Sequence, residues 1–320
     1  THTPHHTHLP SCNTIFSLSR SLSLVSVLLC RGLESLLLNQ MEGNLDDDTR
    51  IKLSIGKVAG GPFSSPAGLA FDHHRGLLFF VEYNNHRVQA FSCDDDGGSF
   101  VSKLGEEGDQ PGQFKYPLGI AIDHDHDRIL VVDCGNNRVQ SWSLSDQSLL
   151  SCIGHRGSGD LEFEYPRGVA IDKHHHRIII ADARNDRLVF LSLIDLSFLF
   201  SVGSKQGSRP GEFSLPSSVA IDDDRHRIIV TDTNNHRVQV LSSIDGSFLF
   251  EFGSKGNQPG QFNNPQGVCI ANHGRIIVAD TGNRLLQSFT HEGHHISSFD
   301  CGTEYPYGIA FDEHRGLIAF

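Results

Sequence analysis

The chain has 320 residues and a formal net charge of −12, with 26 Lys and Arg against 38 Asp and Glu. This acidic balance argues against a protein whose main partner is a phosphate backbone, although a local basic face is compatible with it. No run of about 18 apolar residues occurs, so we predict no membrane-spanning helix and no membrane partner. Seven cysteines are scattered without a CxxC pair, which excludes zinc-finger spacing and is typical of reduced thiols in a core.

The first 40 residues have an unusual composition. His-Thr alternation (THTPHHTHLP) is followed by Ser-Leu alternation (SLSRSLSLVS), the patterns that CA and CT nucleotide repeats encode, and the only methionine is Met41. We interpret residues 1–40 as translated untranslated sequence. The alternatives are a genuine disordered leader and a signal peptide with the apolar run Leu22–Cys30. The predicted domains are a disordered leader over 1–50 and a folded domain over 51–320.

Internal repeats dominate the rest of the chain. The segment TDTNNHRVQVL at 231–241 recurs with variation at 81–91, 132–142, 181–191 and 279–289. A second motif, such as YPRGVAID, precedes each of these turns and occurs once more near the end. Its prolines mark a period of about fifty residues and then about forty; they are Pro66, Pro117, Pro166, Pro216, Pro265 and Pro306. A third motif reads PGQF at 111–114 and 259–262 and PGEF at 210–213.

Each complete repeat divides into four short segments separated by turn residues. In the fourth repeat these segments are SSVAID, RIIVTD, RVQVL and SFLFEFG. β-Branched and aromatic residues fill all four, and the first two are apolar on both faces, as in strands that are buried on both sides. Alanine recurs in the first strand, where a small residue suits a crowded position near an axis. Four strands per repeat without helical periodicity predict an all-β protein, a β-propeller of four-stranded blades.

These motifs resemble those of the NHL repeat family. The matching features are P-x-G-[VI]-A-[IF]-D, the turn R-I-I-V-[AT]-D-T-x-N-x-R-V-Q and the link G-x-x-G-x-x-P-G-Q-F. The resemblance implies a six-bladed propeller, similar to the C-terminal propeller of tripartite-motif NHL proteins. Residues 51–56 (IKLSIG) stand where an outer strand stands, so we predict that they supply the outer strand of the last blade and close the ring. The last repeat stops at 316–320, so we expect an incomplete last blade and a natural protein that continues.

The recurring turn between the second and third strands combines an acid, asparagine and arginine. Asp and Asn side chains bond nearby backbone N–H groups in turns, and Arg pairs with carboxylates bidentately. We therefore predict that the acids and arginines of this motif have a structural role within each blade. They are Asp133, Asp182, Asp232 and Asp280, with Arg87, Arg138, Arg187, Arg237 and Arg284. The first repeat has Glu82 at the acid position.

The tips of these turns vary among the repeats, as a binding face or a tolerant loop would. The resemblance implies that the tips share a face with the loops that lead into each first strand. Tyrosine and asparagine around such a rim suit recognition of a protein or of unstacked bases, although the rings would also pack beside the prolines. The candidate binding residues are Asn84, Asn85, His86, Lys115, Tyr116, Asn136, Asn137, Tyr165, Arg167, Arg184, Asn185, Asn234, Asn235, His236, Asn283 and Tyr305.

The turns between the first and second strands, on the opposite face, hold ten of the twenty histidines, as in DHHRG at 72–76 and DKHHHR at 172–177. Histidines beside carboxylates suggest a metal site. Because neighbouring turns of a propeller diverge outward, we expect these tips not to converge on one ion. We predict a solvated polar face without metal ligands; a face that changes charge between about pH 5 and 8 is the alternative.

Some propellers that resemble this one are lyases or lactonases with metal ligands at the central channel. The first strands here read GIAID and GVAID without histidine, and no nucleophile–base pair is visible, so we assign no catalytic residue and no cofactor. The carboxylates that would ring the axis of such an enzyme are Asp72, Asp123, Asp172, Asp222 and Asp312.

The predicted function is a non-catalytic, cytoplasmic module that binds a protein partner through its turn-rich face. In NHL proteins with RING, B-box and coiled-coil segments, the propeller selects targets for ubiquitin transfer, and such activity here would need domains that these residues do not encode. RNA binding is the first alternative, and a lyase- or lactonase-like enzyme with a channel metal is the second. A continuous positive patch over Lys115, Arg138, Arg167, Arg184 and Arg237 would favour RNA.

Overall fold

The computed structural model describes residues 26–29, 51–54, 65–93, 99–203, 205–301, 305–313 and 317–320. These residues form an all-β structure with five antiparallel four-stranded sheets, each in simple sequential order. The first strands of consecutive sheets lie side by side, which makes the sheets the blades of a β-propeller. No helix in this described part of the chain is long and apolar enough to cross a membrane.

The blades follow the repeats of the sequence. Blade 1 consists of Pro66–Asp72, Leu77–Glu82, Arg87–Ser92 and Phe100–Leu104. Blade 2 consists of Pro117–Asp123, Arg128–Asp133, Arg138–Ser143 and Leu149–Ile153. Blade 3 consists of Pro166–Asp172, Arg177–Asp182, Arg187–Ser192 and Phe198–Val202. Blade 4 consists of Pro216–Asp222, Arg227–Asp232, Arg237–Ser242 and Phe248–Phe252. Blade 5 consists of Pro265–Ala271, Arg275–Asp280, Leu285–Phe289 and His295–Asp300.

Short elements occupy several turns. Five 3-10 helices and one kinked 3-10 turn lie at Cys134–Asn136, Ala183–Asn185, Asp223–Arg225, Thr233–Asn235, Thr281–Asn283 and Asn272–Gly274. In the link between blades 2 and 3, His155–Arg156 and Glu162–Phe163 form a small parallel pair.

The last repeat forms a sixth sector with two described strands. Ala310–Asp312 and Leu317–Ala319 form a two-stranded sheet, and Ala310–Asp312 contacts the first strands of both blade 5 and blade 1. The described residues therefore contain five four-stranded blades, and the prediction of six is wrong. Ile51–Ser54 is a strand, but it pairs with Ser26–Leu29, and it is Ser26–Leu29 that lies beside Leu317–Ala319. Of the predicted leader over 1–50, only Ser26–Leu29 belongs to the described residues; residues 1–25, 30–50 and 55–64 lie outside them.

The first strands pack so closely around the axis that several positions admit only glycine. A Cβ atom on Gly119 would lie 2.3 Å from the carbonyl oxygen of Arg167, and one on Gly308 would lie 1.8 Å from that of Ala67. The second of these contacts joins the sixth sector to blade 1. The tightest position is thus the glycine of the P-x-G motif, and not the alanine two residues later that the sequence suggested.

Apolar side chains from adjacent blades form the core. The second and third strands present fully buried residues such as Ile178, Ile180 and Val189 to their neighbours. The phenylalanine that ends each link inserts between two blades and is completely buried; these residues are Phe114, Phe163, Phe213 and Phe262. Burying one such ring contributes about 1.5–3 kcal/mol, so each PGQF-type link fixes the spacing of its two blades.

Candidate functional site

The turn between the second and third strands is built around a buried carboxylate. In blade 3, Asp182 is fully buried and its Oδ1 accepts the backbone N–H of Glu164 at 2.7 Å. Its Oδ2 accepts from Nδ2 of Asn185 at 2.8 Å and from Nε of Arg187 at 2.9 Å. Each member of the motif therefore has a partner inside the protein.

The arginine of the motif connects the turn to the link that precedes the blade. The Nη groups of Arg187 donate to the carbonyl oxygens of Ser158, Gly159 and Glu162 at 2.7–2.9 Å. Arg138 makes the same three kinds of contact in blade 2, as does Arg237 in blade 4. All three arginines are thus bound within the protein, as the structural role predicted for them requires.

Burial also changes the acidity of these carboxyl groups. The pKa of Asp182 is raised, mainly because burial penalises the charged form, while the hydrogen bonds from Asn185, the Glu164 backbone and Arg187 oppose that shift. The pKa of Asp280 in blade 5 is also raised by burial.

Blade 5 departs from the predicted network. Arg284 follows Asp280 by four residues, where the other blades have five, and Leu285 occupies the strand position opposite Asp280. Arg284 instead adopts a left-handed conformation with φ = 58° and donates to the hydroxyl of Tyr305 at 2.6 Å. Arg284 is thus not part of the Asp–Arg network: the turn has the same length as in the other blades, but Leu285 takes the position of the pairing arginine and Arg284 the position before it.

Five candidate binding asparagines belong to the network and not to a free surface. In blades 2–5 the Nδ2 group donates to the motif carboxylate and to a glycine carbonyl of the link, as Asn136 does to Asp133 and Gly108 at 2.9 Å. Asn85 donates to Glu82. A short amide three residues after an acid reaches that acid, so these side chains are structural. They are Asn85, Asn136, Asn185, Asn235 and Asn283.

The next residue of the turn connects one blade to the following blade. Nδ1 of His86 accepts the backbone N–H of Tyr116 at 2.9 Å, and Oδ1 of Asn137 accepts that of Tyr165 at 2.9 Å. Nδ1 of His236 accepts from the backbone of the next link in the same way. His86 and Asn137 are buried, so their side chains stabilise contacts between blades and do not offer a free binding surface.

The exposed side chains on the side that holds the turns between second and third strands are mainly aromatic and basic. Tyr116 is 37% exposed, Tyr165 40%, Tyr305 59% and Tyr307 36%. With the half-buried Tyr83, these are all five tyrosines of the chain. We call the side that holds the five tyrosines and the turns between second and third strands the turn face. Asn84, Lys115, Arg184 and Asn234 also lie exposed there.

Neighbouring groups hold the tyrosine rings in place. The guanidinium of Arg184 lies 4.3 Å from the ring centroid of Tyr165, and that of Arg284 lies 4.6 Å from the ring of Tyr305. The Tyr116 ring contacts Tyr83 and His86. Since cation–π contacts fix the rings without covering them, the turn face presents ordered aromatic edges to solvent.

Arg167 lies at the centre of the turn face, where the axial channel opens. It donates to Oγ of Ser217 at 2.9 Å and to Oε1 of Gln266 at 3.2 Å. The cavity at this point has a volume of about 110 Å³ and is lined mainly by the first strands. The described residues that line it include no His, Cys, Asp or Glu. The channel mouth thus offers one cation among neutral donors, which suits a carboxylate and not a metal ion.

The acids that end the first strands do not reach this cavity. Asp123 is fully buried and pairs with Arg128, and Asp172 pairs with Arg177 at 2.8 Å. Both arginines also donate to carbonyl oxygens of the next blade, Arg128 to that of Leu193. Asp123 and Asp172 are therefore held by ion pairs within the protein, away from the cavity at the channel mouth.

We call the side that holds the turns between first and second strands the histidine face. The positions of its histidines differ from one expectation. Ring nitrogens of His73, His74 and His124 lie within 4.8 Å of one another, although they come from blades 1 and 2. His174 and His175 of blade 3 form a second such group with His226 of blade 4. The expectation that neighbouring tips diverge is wrong, because side chains from adjacent turns lean towards each other. The sequence signal was the DHHR and DHDH pattern in consecutive repeats.

The chain contains NHL repeats. The family model described as "NHL repeat" matches residues 114–141, 213–241 and 262–289, which confirms the resemblance at these positions. The E3 ubiquitin-protein ligase NHLRC1 of Rattus norvegicus is 34% identical over 76 residues, covering 24% of this chain and 18% of that protein. Tripartite motif-containing protein 3 of Mus musculus is 49% identical over 39 residues, covering 12% of this chain and 5% of that protein. The matched segments thus span less than a fifth of either relative.

Solved structures share the propeller fold at low sequence identity. A chain of the nidogen/laminin complex has a TM-score of 0.61 at 14% identity, covering 92% of this chain and 95% of that chain. A gluconolactonase from Xanthomonas campestris has a TM-score of 0.61 at 16% identity, covering 80% and 83%. At such identities the likeness establishes the fold and not the activity.

Proposed function

We propose that this NHL-repeat propeller is a non-catalytic module that binds a protein partner through its turn face. The observation that supports this most is the set of exposed, ordered tyrosines around the channel mouth. Tyrosine and arginine are the residues that most often anchor protein interfaces, because they present a large rigid area with a polar end.

The channel mouth suggests the chemistry of the bound segment. Arg167 is held by neutral partners, Ser217 and Gln266, and none of the described residues around it supplies a carboxylate. A carboxylate from the partner would complete this arrangement, with the tyrosine rings packing on either side. The proposed ligand is therefore a protein segment that presents an acidic side chain or a chain end beside apolar or aromatic residues.

Two arginines of the positive patch that RNA binding would require are not available at the surface. Arg138 and Arg237 are 7% and 6% exposed and form buried ion pairs, so they add nothing to the surface charge. Lys115 and Arg184 are exposed but are not joined into a continuous patch by the other two. With a chain charge of −12, this favours a protein over a phosphate backbone.

The similarity to a ubiquitin ligase supports a more specific version of the proposal. This chain contains NHL repeats and is similar to NHLRC1 over 76 residues, so the propeller would be the part that recognises the target. The described residues include no RING-type zinc module, and ubiquitin transfer would depend on other domains. The five described cysteines are free thiols, which agrees with a reducing compartment such as the cytoplasm.

Partner capture with matched variants tests the proposal. The full chain would be cross-linked in a lysate of its source cells as wild type, as a turn-face variant (Tyr165→Ser, Arg167→Met, Tyr305→Ser) and as a histidine-face control (Lys173→Glu). We expect proteins that are enriched with wild type and control but lost with the turn-face variant, and a Kd for the purified partner at least about tenfold weaker with that variant.

Two results would overturn the proposal. One is partner binding that the turn-face substitutions leave unchanged while circular dichroism shows all variants folded. The other is recovery of cross-linked RNA, and not protein, that the same substitutions abolish; this would establish the RNA alternative.

A further inference from the structure

The histidine cluster between blades 1 and 2 lies on the histidine face, away from the proposed protein-binding surface. The ring centroids of His73, His74 and His124 are 4.4, 4.7 and 4.2 Å apart. Each ring offers one nitrogen, and the three nitrogens lie within 4.8 Å of one another. Three convergent imidazoles are a common ligand set for zinc and related ions.

The cluster contains a buried donor that has no partner. The side chain of His124 is 7% exposed, and its Nδ1 atom has no hydrogen bond in the protein. Oδ1 of Asp72 lies 3.8 Å from this nitrogen and is itself fixed by the backbone N–H groups of His74 and Arg75 at 3.1 Å. A carboxylate behind one imidazole nitrogen favours the tautomer in which the other nitrogen is free to bind a metal ion.

The charges around the cluster are compatible with a cation. Arg75 is paired with Asp72, and Lys173 with Asp125 at 3.7 Å, so neither cation stands unbalanced beside the cluster.

We propose that His73, His74 and His124 form a binding site for a divalent transition-metal ion of the zinc class, with water as the fourth ligand. Zinc lies about 2.0–2.1 Å from each histidine nitrogen, which places tetrahedral ligands about 3.4 Å apart. Side-chain rotations that bring the nitrogens closer by up to about 1.4 Å therefore complete the site. Because the ligands come from two blades, the bound ion joins blade 1 to blade 2.

The second cluster provides an internal comparison. His174 and His226 are exposed, and the His175 and His226 rings are 6.0 Å apart. Nδ1 of His175 is already bonded to Asp172 at 2.9 Å. Ligands that are farther apart and more exposed to solvent bind a metal ion more weakly. We therefore expect this cluster to bind zinc less tightly than the first.

Zinc titration of the full chain tests the site. The N-terminal histidines would compete, so the background carries His2→Gln, His5→Gln, His6→Gln and His8→Gln. On this background we expect one tight Zn²⁺ site by calorimetry, and visible Co²⁺ absorption typical of tetrahedral coordination. His74→Gln, at an exposed position, should weaken the tight site at least about tenfold, and His124→Gln should abolish it.

Matched controls separate this site from other histidines. His294→Gln, an exposed histidine of blade 5, should change nothing, and His174→Gln should affect only a weaker binding event. Zinc at a hundred times Kd should raise the unfolding midpoint by roughly 5–10 °C in the background and in His294→Gln, but not in His74→Gln. Wild-type zinc affinity in both His74→Gln and His124→Gln would overturn the proposal, as would an equal loss in His174→Gln.

Discussion

The turn face and the histidine face are built with the same device. On each face an Asp ends a strand, and an Arg five residues later pairs with it: Asp182 with Arg187 on the turn face, and Asp172 with Arg177 on the histidine face. Each Arg then donates to backbone carbonyl oxygens of a neighbouring segment. We call these buried Asp–Arg pairs and their backbone contacts the frame. The faces differ in the side chains outside the frame, which are mainly tyrosines on the turn face and histidines on the histidine face. The chemical character of each face therefore resides in the loops and turns outside the Asp–Arg pairs.

The largest effect should come from breaking the frame. Arg187→Ala leaves the buried carboxylate of Asp182 without its guanidinium and three carbonyl oxygens without a donor, so we expect a loss of about 3–5 kcal/mol in the free energy of unfolding. Arg284→Ala is the matched control, because that arginine is at the surface, and should cost less than about 1 kcal/mol. Urea denaturation measures both. Equal losses would show that the buried network is not what distinguishes them.

A second substitution tests whether the frame can be restored in blade 5. Leu285 lies opposite Asp280, as Arg187 lies opposite Asp182. Leu285→Arg should pair with Asp280 and lower its raised pKa. A lowered carboxyl pKa stabilises the fold above the unfolded pKa and is lost as the pH falls. We expect a gain of about 1 kcal/mol at pH 7 that disappears near pH 3. A loss of stability at pH 7 would contradict the equivalence of the two positions.

The smallest effect concerns protonation at the tips. Burial is the main cause that lowers the pKa of His236, and Lys255 assists. The imidazole is therefore protonated more readily in the unfolded chain than in the folded chain. As a result, the free energy of unfolding falls as the pH drops below about 6.5. His236→Asn keeps an acceptor for the backbone of Asn264, as Asn137 does for Tyr165. The variant should gain about 0.5 kcal/mol over wild type at pH 5.5 relative to pH 8. An unchanged difference would show that His236 is accessible to protons.

The sequence was a good guide to the frame because the frame repeats. Proline, the Asp–Asn–Arg turn and the PGQF-type link predicted the strands and the shared face correctly. The sequence suggested a binding role for Asn136 and the equivalent asparagines of the other blades. A repeat pattern shows that such a side chain lies in a turn, but it does not show that the side chain points to the acid three residues earlier. The position of Arg284 was not predicted, because this arginine stands one residue earlier in a turn of unchanged length and Leu285 takes the place opposite Asp280.

Features that join different blades were the hardest to predict. His124 meets His73 and His74 only because the blades close around an axis, and about fifty residues separate them in the sequence. The sequence predicted that the last blade would be incomplete, but not that Ser26–Leu29 would lie beside Leu317–Ala319. A local pattern does not specify which distant segments come into contact.

Tyrosine protection in the complex tests the central claim most directly, since all five tyrosines of the chain lie on the turn face and none on the histidine face. Tyrosine-selective labelling of the full chain, read by mass spectrometry, would compare the free protein with its complex with the captured partner, and histidine-selective labelling would report on the other face. We predict that the partner protects Tyr116, Tyr165, Tyr305 and Tyr307 while the labelling of His74 and His174 stays unchanged. Protection of the histidines with freely labelled tyrosines would contradict the assignment of the turn face as the binding surface.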